Sequence, residues 1–228
     1  MLFNSFIFLV FGTLFFLFLY FIRRSKNLNF RWAFLVIASF FFYGWWDWRF
    51  LFLILASGLI DYFGALGIHR FPKRKKLFLI LSIIGNVGSL AIFKYSGFIA
   101  ENIDQVLGIM GLESSLAERI PEFMLLLPVG ISFYTFQSMS YTIDVYRGSM
   151  KPTRNILHFF SYLALFPQLV AGPIVRARDL MPQLKVLRPT TELERWNGFK
   201  LIIIGFFKKV VLADNIAPMV NSGFANIH

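Results

Sequence analysis

The residues of this chain best suited to chemistry sit in a stretch otherwise built for lipid. Residues 127–148, LPVGISFYTFQSMSYTIDVYRG, are long enough to cross a bilayer, yet they carry Pro128, Gly130, Ser132, Tyr134, Gln137, Ser138, Tyr141 and Asp144. On a helix turning about 100° per residue, Tyr134, Gln137, Ser138, Tyr141 and Asp144 share one face, while Phe136, Met139 and Ile143 lie opposite. Such a stripe has two uses. Polar side chains bond neighbouring membrane helices to one another, or they line a path for a substrate or ion. Asp144, close to the end of the span, also has a plain use as the partner of Arg147.

A second stretch, FPQLVAGPIVR at 166–176, repeats the theme with Pro167, Gln168, Gly172 and Pro173. Its Arg176 is suited to a phosphate or carboxylate, or to snorkelling at the interface. Pro128 removes a backbone donor and Gly130 permits close approach, so a kink or a late helix start is predicted there. Asp61 and Asn86 are candidate buried polar groups whose partners the sequence does not name. His158, following TRNIL near a helix start, is a candidate base; His69 adjoins a basic loop and His228 is the last residue. With no cysteine, disulfides and thiolate chemistry are excluded, and three scattered histidines argue against a multi-histidine metal centre. No Gly-x-Ser-x-Gly elbow, phosphate-binding Walker loop or paired-histidine zinc motif occurs.

The elements that must position these residues are helices in a membrane. The chain is 57% hydrophobic and 19% aromatic, with thirty phenylalanines, and only 15% charged. Soluble domains carry about 25% charged residues. The composition therefore predicts an all-α, polytopic transmembrane protein. The net charge of +11 sits in short clusters between apolar runs, the pattern of membrane topology and not of nucleic-acid binding.

Residues 1–22 carry no charge and are followed by basic residues, which predicts a retained span and not a cleaved signal. Arg23, Arg24, Lys26 and Arg31 then place that end in the cytoplasm and the N-terminus outside. An apolar segment, 32–46, leads into YGWWDWRF, whose Trp45, Trp46 and Trp48 read as an interfacial belt. Residues 50–68 return to RFPKRKK at 70–76, a topology determinant or an anionic-lipid contact. Residues 77–95 cross again to an outer loop, 96–122, where Glu101, Asp104, Glu113, Glu118 and Glu122 face Arg119 alone and SSLAERI suggests a short surface helix.

The stripe segment crosses inward to Arg147, Lys151 and Arg154. Residues 155–175 are then flanked by basic residues on both sides, which predicts a re-entrant segment, because broken backbone at membrane depth must be buried in protein or line a cavity. A last apolar helix is expected at about 196–212, carrying Lys200, Lys208 and Lys209. No repeat or soluble boundary interrupts the chain, so 1–228 reads as one membrane-embedded domain.

These stretches together resemble the membrane-bound O-acyltransferase family, in its bacterial alginate O-acetyltransferase-like branch. FFFYGWWDWRF, GLIDYFGALGI, LPVGISFYTFQSMSYTIDVYRG, FPQLVAGPIVR and GFFKKVVLADNIAP follow one another in the family's order across nearly the whole chain. The resemblance implies an enzyme with a tunnel through the membrane. It would pass an acyl group, chiefly acetyl, from a cytoplasmic donor to an extracytoplasmic polysaccharide or other envelope polymer. The donor would be acetyl-coenzyme A or an acyl-carrier thioester, with no resident cofactor or metal, and periplasmic partner proteins would assist. Transfer of D-alanine to teichoic acids is the neighbouring alternative; a transporter or flippase, or a structural membrane partner, are readings outside the family.

The resemblance also implies that Tyr134, Gln137, Ser138, Tyr141 and Asp144, with Pro167, Gln168, Gly172, Pro173 and Arg176, wall the tunnel. The family's catalytic histidine belongs to a later intramembrane segment, and none of His69, His158 or His228 occupies its motif. On this reading the chain corresponds to the N-terminal half of such an enzyme and holds no catalytic residue.

Overall fold

The computed structural model describes residues 3–22, 25–112, 115–121, 130–169, 172–186 and 190–225, and among them all regular structure is helical. By internal contacts the chain divides into two compact units, Phe21–Val186 and Met1–Tyr20 with Leu187–His228.

The first helix, α1 (Phe6–Ile22), is uncharged throughout, with Phe11 stacked on Phe15 at 6.1 Å between centroids. In the larger unit, α2 (Leu28–Asp47) begins where the Asn27 side chain accepts from the N–H groups of Asn29 and Phe30. A tight turn at Trp48–Phe50 leads into α3 (Leu51–Arg70). Trp45, Trp46 and Trp48 are exposed around this turn, as an interfacial belt requires. Leu28–Arg70 and Pro72–Ile109 are each long and apolar enough to cross a membrane.

The helix α4 (Lys75–Ile109) corrects one expectation: the predicted outer loop from 96 remains helical to Ile109. Its sequence offers no proline, and the helix stops only at Gly111, whose φ of +75° suits the left-handed exit. The Leu112 N–H bonds the Leu107 carbonyl there at 2.9 Å. Asp104 then accepts from the N–H groups of Leu116 (3.0 Å) and Ala117 (2.9 Å), holding the single turn Ala117–Arg119 that SSLAERI supplies. Glu113 and Glu122 lie outside the described residues.

The stripe occupies α5 (Ile131–Tyr146). Gly130 precedes it with φ +79°, a conformation that disfavours any side chain, so the late start is borne out; Pro128 lies outside the described residues. Next, α6 (Ile156–Leu163) has eight residues, about 12 Å of rise, less than half of a hydrocarbon core of about 30 Å. The chain breaks after it, makes one turn at Phe166–Leu169, and resumes as α7 (Ala177–Lys185). This segment does not cross as a helix.

Two contacts fix the broken segment. Arg31, buried at the start of α2, donates to the carbonyls of Leu184 (3.3 Å) and Lys185 (3.2 Å), and Trp32 Nε1 donates to Leu184 (3.0 Å). A guanidinium there satisfies terminal carbonyls of α7 and opposes the negative end of its dipole. On the other side a Cβ added to Gly58 would lie 2.6 Å from the Phe160 ring, so α3 meets α6 at a distance only glycine permits.

In the smaller unit, α8 (Glu192–Phe206) starts with a reciprocal cap between Thr191 and Glu194. It passes through a π-helical stretch at Phe207–Ala213 into α9 (Asp214–Ala225), so the helix expected at 196–212 is longer at both ends. Lys209 pairs with Asp214 across the widened turns.

Candidate functional site

The polar side chains of three helices converge on Asp61. This residue of α3 is fully buried, and its carboxylate accepts four hydrogen bonds: from Ser82 and Asn86 (2.8 Å) of α4, and from Ser138 and Thr142 (2.7 Å) of α5. Ser57, one turn before Asp61, donates to the Asn86 side-chain oxygen at 2.5 Å. A carboxylate away from water is tolerable only when such donors surround it. The knot therefore fixes α3, α4 and α5 against one another, and Ser138 serves as interhelical glue.

The middle of the stripe serves the broken segment. The Tyr162 carbonyl, near the C-terminus of α6, has no intrahelical partner, because the Phe166 N–H four residues on donates to Ser39 instead (3.1 Å). Gln137 and Gln168 both donate to that carbonyl, at 3.1 and 2.7 Å. The Tyr162 hydroxyl reaches back to the carbonyls of Gln137 (3.2 Å) and Val175 (3.1 Å). Gly172 closes a turn onto the Gln168 carbonyl at 3.1 Å, and a Cβ there would lie 2.3 Å from the Gln168 Cα. Tyr141 accepts from the Thr153 N–H at 3.0 Å. Pro167, Pro173 and Arg176 are exposed.

Three polar atoms of α5 remain open. Tyr134 Oη, Thr135 Oγ1 and Asp144 Oδ2 are buried without a hydrogen-bond partner. Asp144 forms no ion pair with Arg147, which is exposed. Phe133 and Phe136 point outward on the other face, as the helical count predicts. Buried polar atoms without a partner are exceptions in a folded chain.

His158 is a structural residue in this arrangement. Its Nε2 lies 2.9 Å from the Met181 carbonyl, which can only accept, so Nε2 carries the proton. Its Nδ1 lies 3.2 Å from the Thr153 hydroxyl, and the ring stacks on Trp32 at 4.5 Å. Both nitrogens are engaged within the fold. His69 is exposed, and His228 lies outside the described residues. Among the described residues no group of three or more histidine and acidic side chains is placed to hold a metal.

Sequence reasoning found Asp61, Asn86 and the stripe but missed Ser57, Ser82, Thr142 and Tyr162. A signal for three of them exists. Ser57 with Asp61, Ser82 with Asn86, and Ser138 with Thr142 are three polar pairs at i, i+4 in otherwise apolar helices.

The chain is 37% identical over 231 residues, 99% of its length, to the probable alginate O-acetylase of Pseudomonas syringae pv. tomato. It is 35% identical, again over 99% of its length, to the corresponding protein of Pseudomonas aeruginosa. The peptidoglycan O-acetyltransferase of Helicobacter pylori is 35% identical over 90% of the chain. This bears out the resemblance to the O-acetyltransferase branch. The chain spans 42%, 42% and 43% of those three relatives, less than half of each. No family model matches the chain. No solved structure matches it either.

Proposed function

We propose that this chain serves the transfer of an acetyl group to a hydroxyl of a bacterial envelope polysaccharide. The observation that carries the reading is the similarity of 99% and 90% of the chain to relatives named for two different polymers, alginate and peptidoglycan. What those polymers share is a sugar hydroxyl, and what both names share is its O-acetylation. In the reaction the hydroxyl oxygen attacks the carbonyl of a thioester, acetyl-coenzyme A or an acyl-carrier thioester. The hydroxyl proton passes to a general base, the new ester C–O bond forms as the thioester C–S bond breaks, and the departing thiolate takes up the proton. The hydrogen bonds that hold both His158 nitrogens support a structural role for it and a base elsewhere.

On this reading the protein lies in the cytoplasmic membrane as a multi-pass chain with its N-terminus outside, taking the donor from the cytoplasm and working with periplasmic partner proteins. The stripe of α5 faces the tunnel through its open groups, Tyr134 and Asp144. Gln137, Ser138, Tyr141 and Gln168 hold the wall in place, with Pro167, Gly172, Pro173 and Arg176 shaping the break beside it. The support is the contrast on one helix face between satisfied and unsatisfied polar atoms.

The test measures base-labile acetate on envelope polysaccharide from cells with the gene intact, deleted, or carrying Asp144→Ala at equal protein abundance. Unchanged acetate after deletion overturns the function. Normal acetate with Asp144→Ala overturns the role of Asp144 and leaves the function standing. Loss of esterified D-alanine in place of acetate would move the reading to alanyl transfer.

A further inference from the structure

The basic residues at one end of the larger unit form a surface with a chemistry of its own. Arg70, Lys73, Arg74, Lys75 and Lys76 are all exposed on the turn between α3 and α4. Far along the sequence, Arg147, Lys151 and Arg154 are exposed on the connection between α5 and α6. The fold brings the two loops together: Lys75 Nζ sits 4.8 Å from the centroid of the Tyr146 ring, and the Tyr62 hydroxyl of α3 donates to the Arg154 carbonyl at 2.8 Å. Neither loop contains an acidic residue. Among the described residues none of these eight has a carboxylate within ion-pair distance.

We infer that this two-loop surface binds the headgroups of anionic phospholipids in the adjoining leaflet. Directly beyond Lys75 and Lys76, α4 exposes Leu77, Ile80, Leu81 and Ile84, side chains that require hydrocarbon around them. With a rise of about 1.5 Å per residue, the lysines lie within one turn of that hydrocarbon, at headgroup depth. Phe71 is exposed among the basic groups, with its ring stacked on Phe78, and gives the turn an apolar foot in the same plane. The charges are spread along the edge of the unit and do not converge on an enclosed pocket. Two open clefts of about 860 Å³ each are lined elsewhere, by Asp104–Arg119 residues and by Glu192–Phe199 residues. A diffuse row of cations at headgroup depth suits a plane of lipid phosphates better than one buried phosphate ester. Clusters of four to eight basic residues beside a membrane helix attract anionic lipid in this way. The surface needs no acyl-transfer chemistry and stands whether or not that reading does.

The experiment places the purified full chain in mixed phosphatidylcholine and phosphatidylglycerol bilayers. It measures, by native mass spectrometry or spin-labelled lipid, how strongly phosphatidylglycerol is retained over phosphatidylcholine. The expected result is a preference for phosphatidylglycerol that falls about tenfold or more in Lys73→Gln/Arg74→Gln/Lys76→Gln and falls also in Arg147→Gln/Lys151→Gln. Arginine-for-lysine replacements at 73, 75 and 76 should retain it. Wild-type protein supplies a check that no folding defect can confound: the preference should weaken as salt rises from low to molar ionic strength, because the headgroup contacts are screened. Equal retention of the two lipids by the wild type overturns the inference. So does a preference that both glutamine variants keep, or one displaced by millimolar coenzyme A or by an acidic carrier protein, since those results assign the surface to a soluble phosphate or to a protein partner.

Discussion

Nine of the sixteen residues of α5 are buried, and none of α8, the π-helical stretch or α9 is, although both regions set polar groups into apolar sequence. The polar groups also fall differently around the two helices. In α5 they share one face, and α3 and α4 present matching pairs at i, i+4, so donors meet acceptors inside one unit. From α8 through the π-helical stretch to α9, Lys200, Lys208, Lys209 and Asn215 are distributed around the helix; Lys209 pairs with the neighbouring Asp214, and Asn215 donates back to the Val211 carbonyl at 2.7 Å. Polar groups that share a face build tertiary structure.

The largest expected effect tests the centre of the first region. Asp61→Ala leaves four donors without their acceptor. Interhelical hydrogen bonds in membrane proteins are worth about 0.6 kcal/mol each on average, so the summed loss is about 2–3 kcal/mol. Asp61→Asn keeps one acceptor oxygen and should lose less. Denaturation midpoints of the purified protein in one detergent would measure both. Equal stability of Asp61→Ala and wild type would mean that the knot does not hold the helices together.

Glycines extend the comparison to packing. Gly58→Ala puts a methyl 2.6 Å from the Phe160 ring and 2.8 Å from Leu163. Overpacking of this kind costs about 1–3 kcal/mol. Gly198→Ala, in α8, meets nothing within 4 Å and should be neutral or stabilise by up to about 1 kcal/mol through helix propensity. The same thermal scans read both, and a shift of the same sign in the two variants would erase the packing contrast between the regions.

How much of this was legible follows the same division. The membrane class, the late start of α5 after Gly130, the break near Pro167–Gly172 and the stripe on one face were all readable, because composition, glycine and helical periodicity are local signals. The extension of α4 to Ile109 was missed because its far end is polar; there the helix is stopped by Gly111 and not by a change in hydropathy. The Asp61 knot was visible only as separate polar residues. Partnership between Asp61, Ser82 and Ser138 depends on three helix rotations and their spacing, which no single segment encodes. His158 looked like a candidate base from its neighbours in sequence, whereas its hydrogen bond to the Met181 carbonyl, 23 residues away, shows only in the fold.

A smaller effect is expected at the broken segment. Gln137→Ala and Gln168→Ala each remove one of two donors to the Tyr162 carbonyl. With one donor left, each single change should cost about 0.5–1 kcal/mol, and the double variant should cost more than the sum, because only then is the carbonyl orphaned. A double-mutant cycle on unfolding free energy measures the coupling. Strict additivity would show that the two glutamines do not share that acceptor.

The smallest and most closely matched pair compares one serine from each region. Ser138 donates across helices to Asp61, whereas Ser222 donates to the Met219 carbonyl of its own helix from an exposed position. Removing the Ser138 hydroxyl leaves Asp61 with three donors, a loss of about 0.6 kcal/mol on the membrane scale. Removing that of Ser222 deletes a bond three residues back along an exposed helix, and alanine's better helix propensity offsets part of the change, so the net effect should be close to zero. The difference between Ser138→Ala and Ser222→Ala therefore isolates the worth of an interhelical partner from that of the hydroxyl itself. Measured by paired denaturation curves, a difference that vanishes when both are repeated in an Asp61→Ala background assigns it to the carboxylate. A difference that persists in that background assigns it to the local packing of α5 against α3.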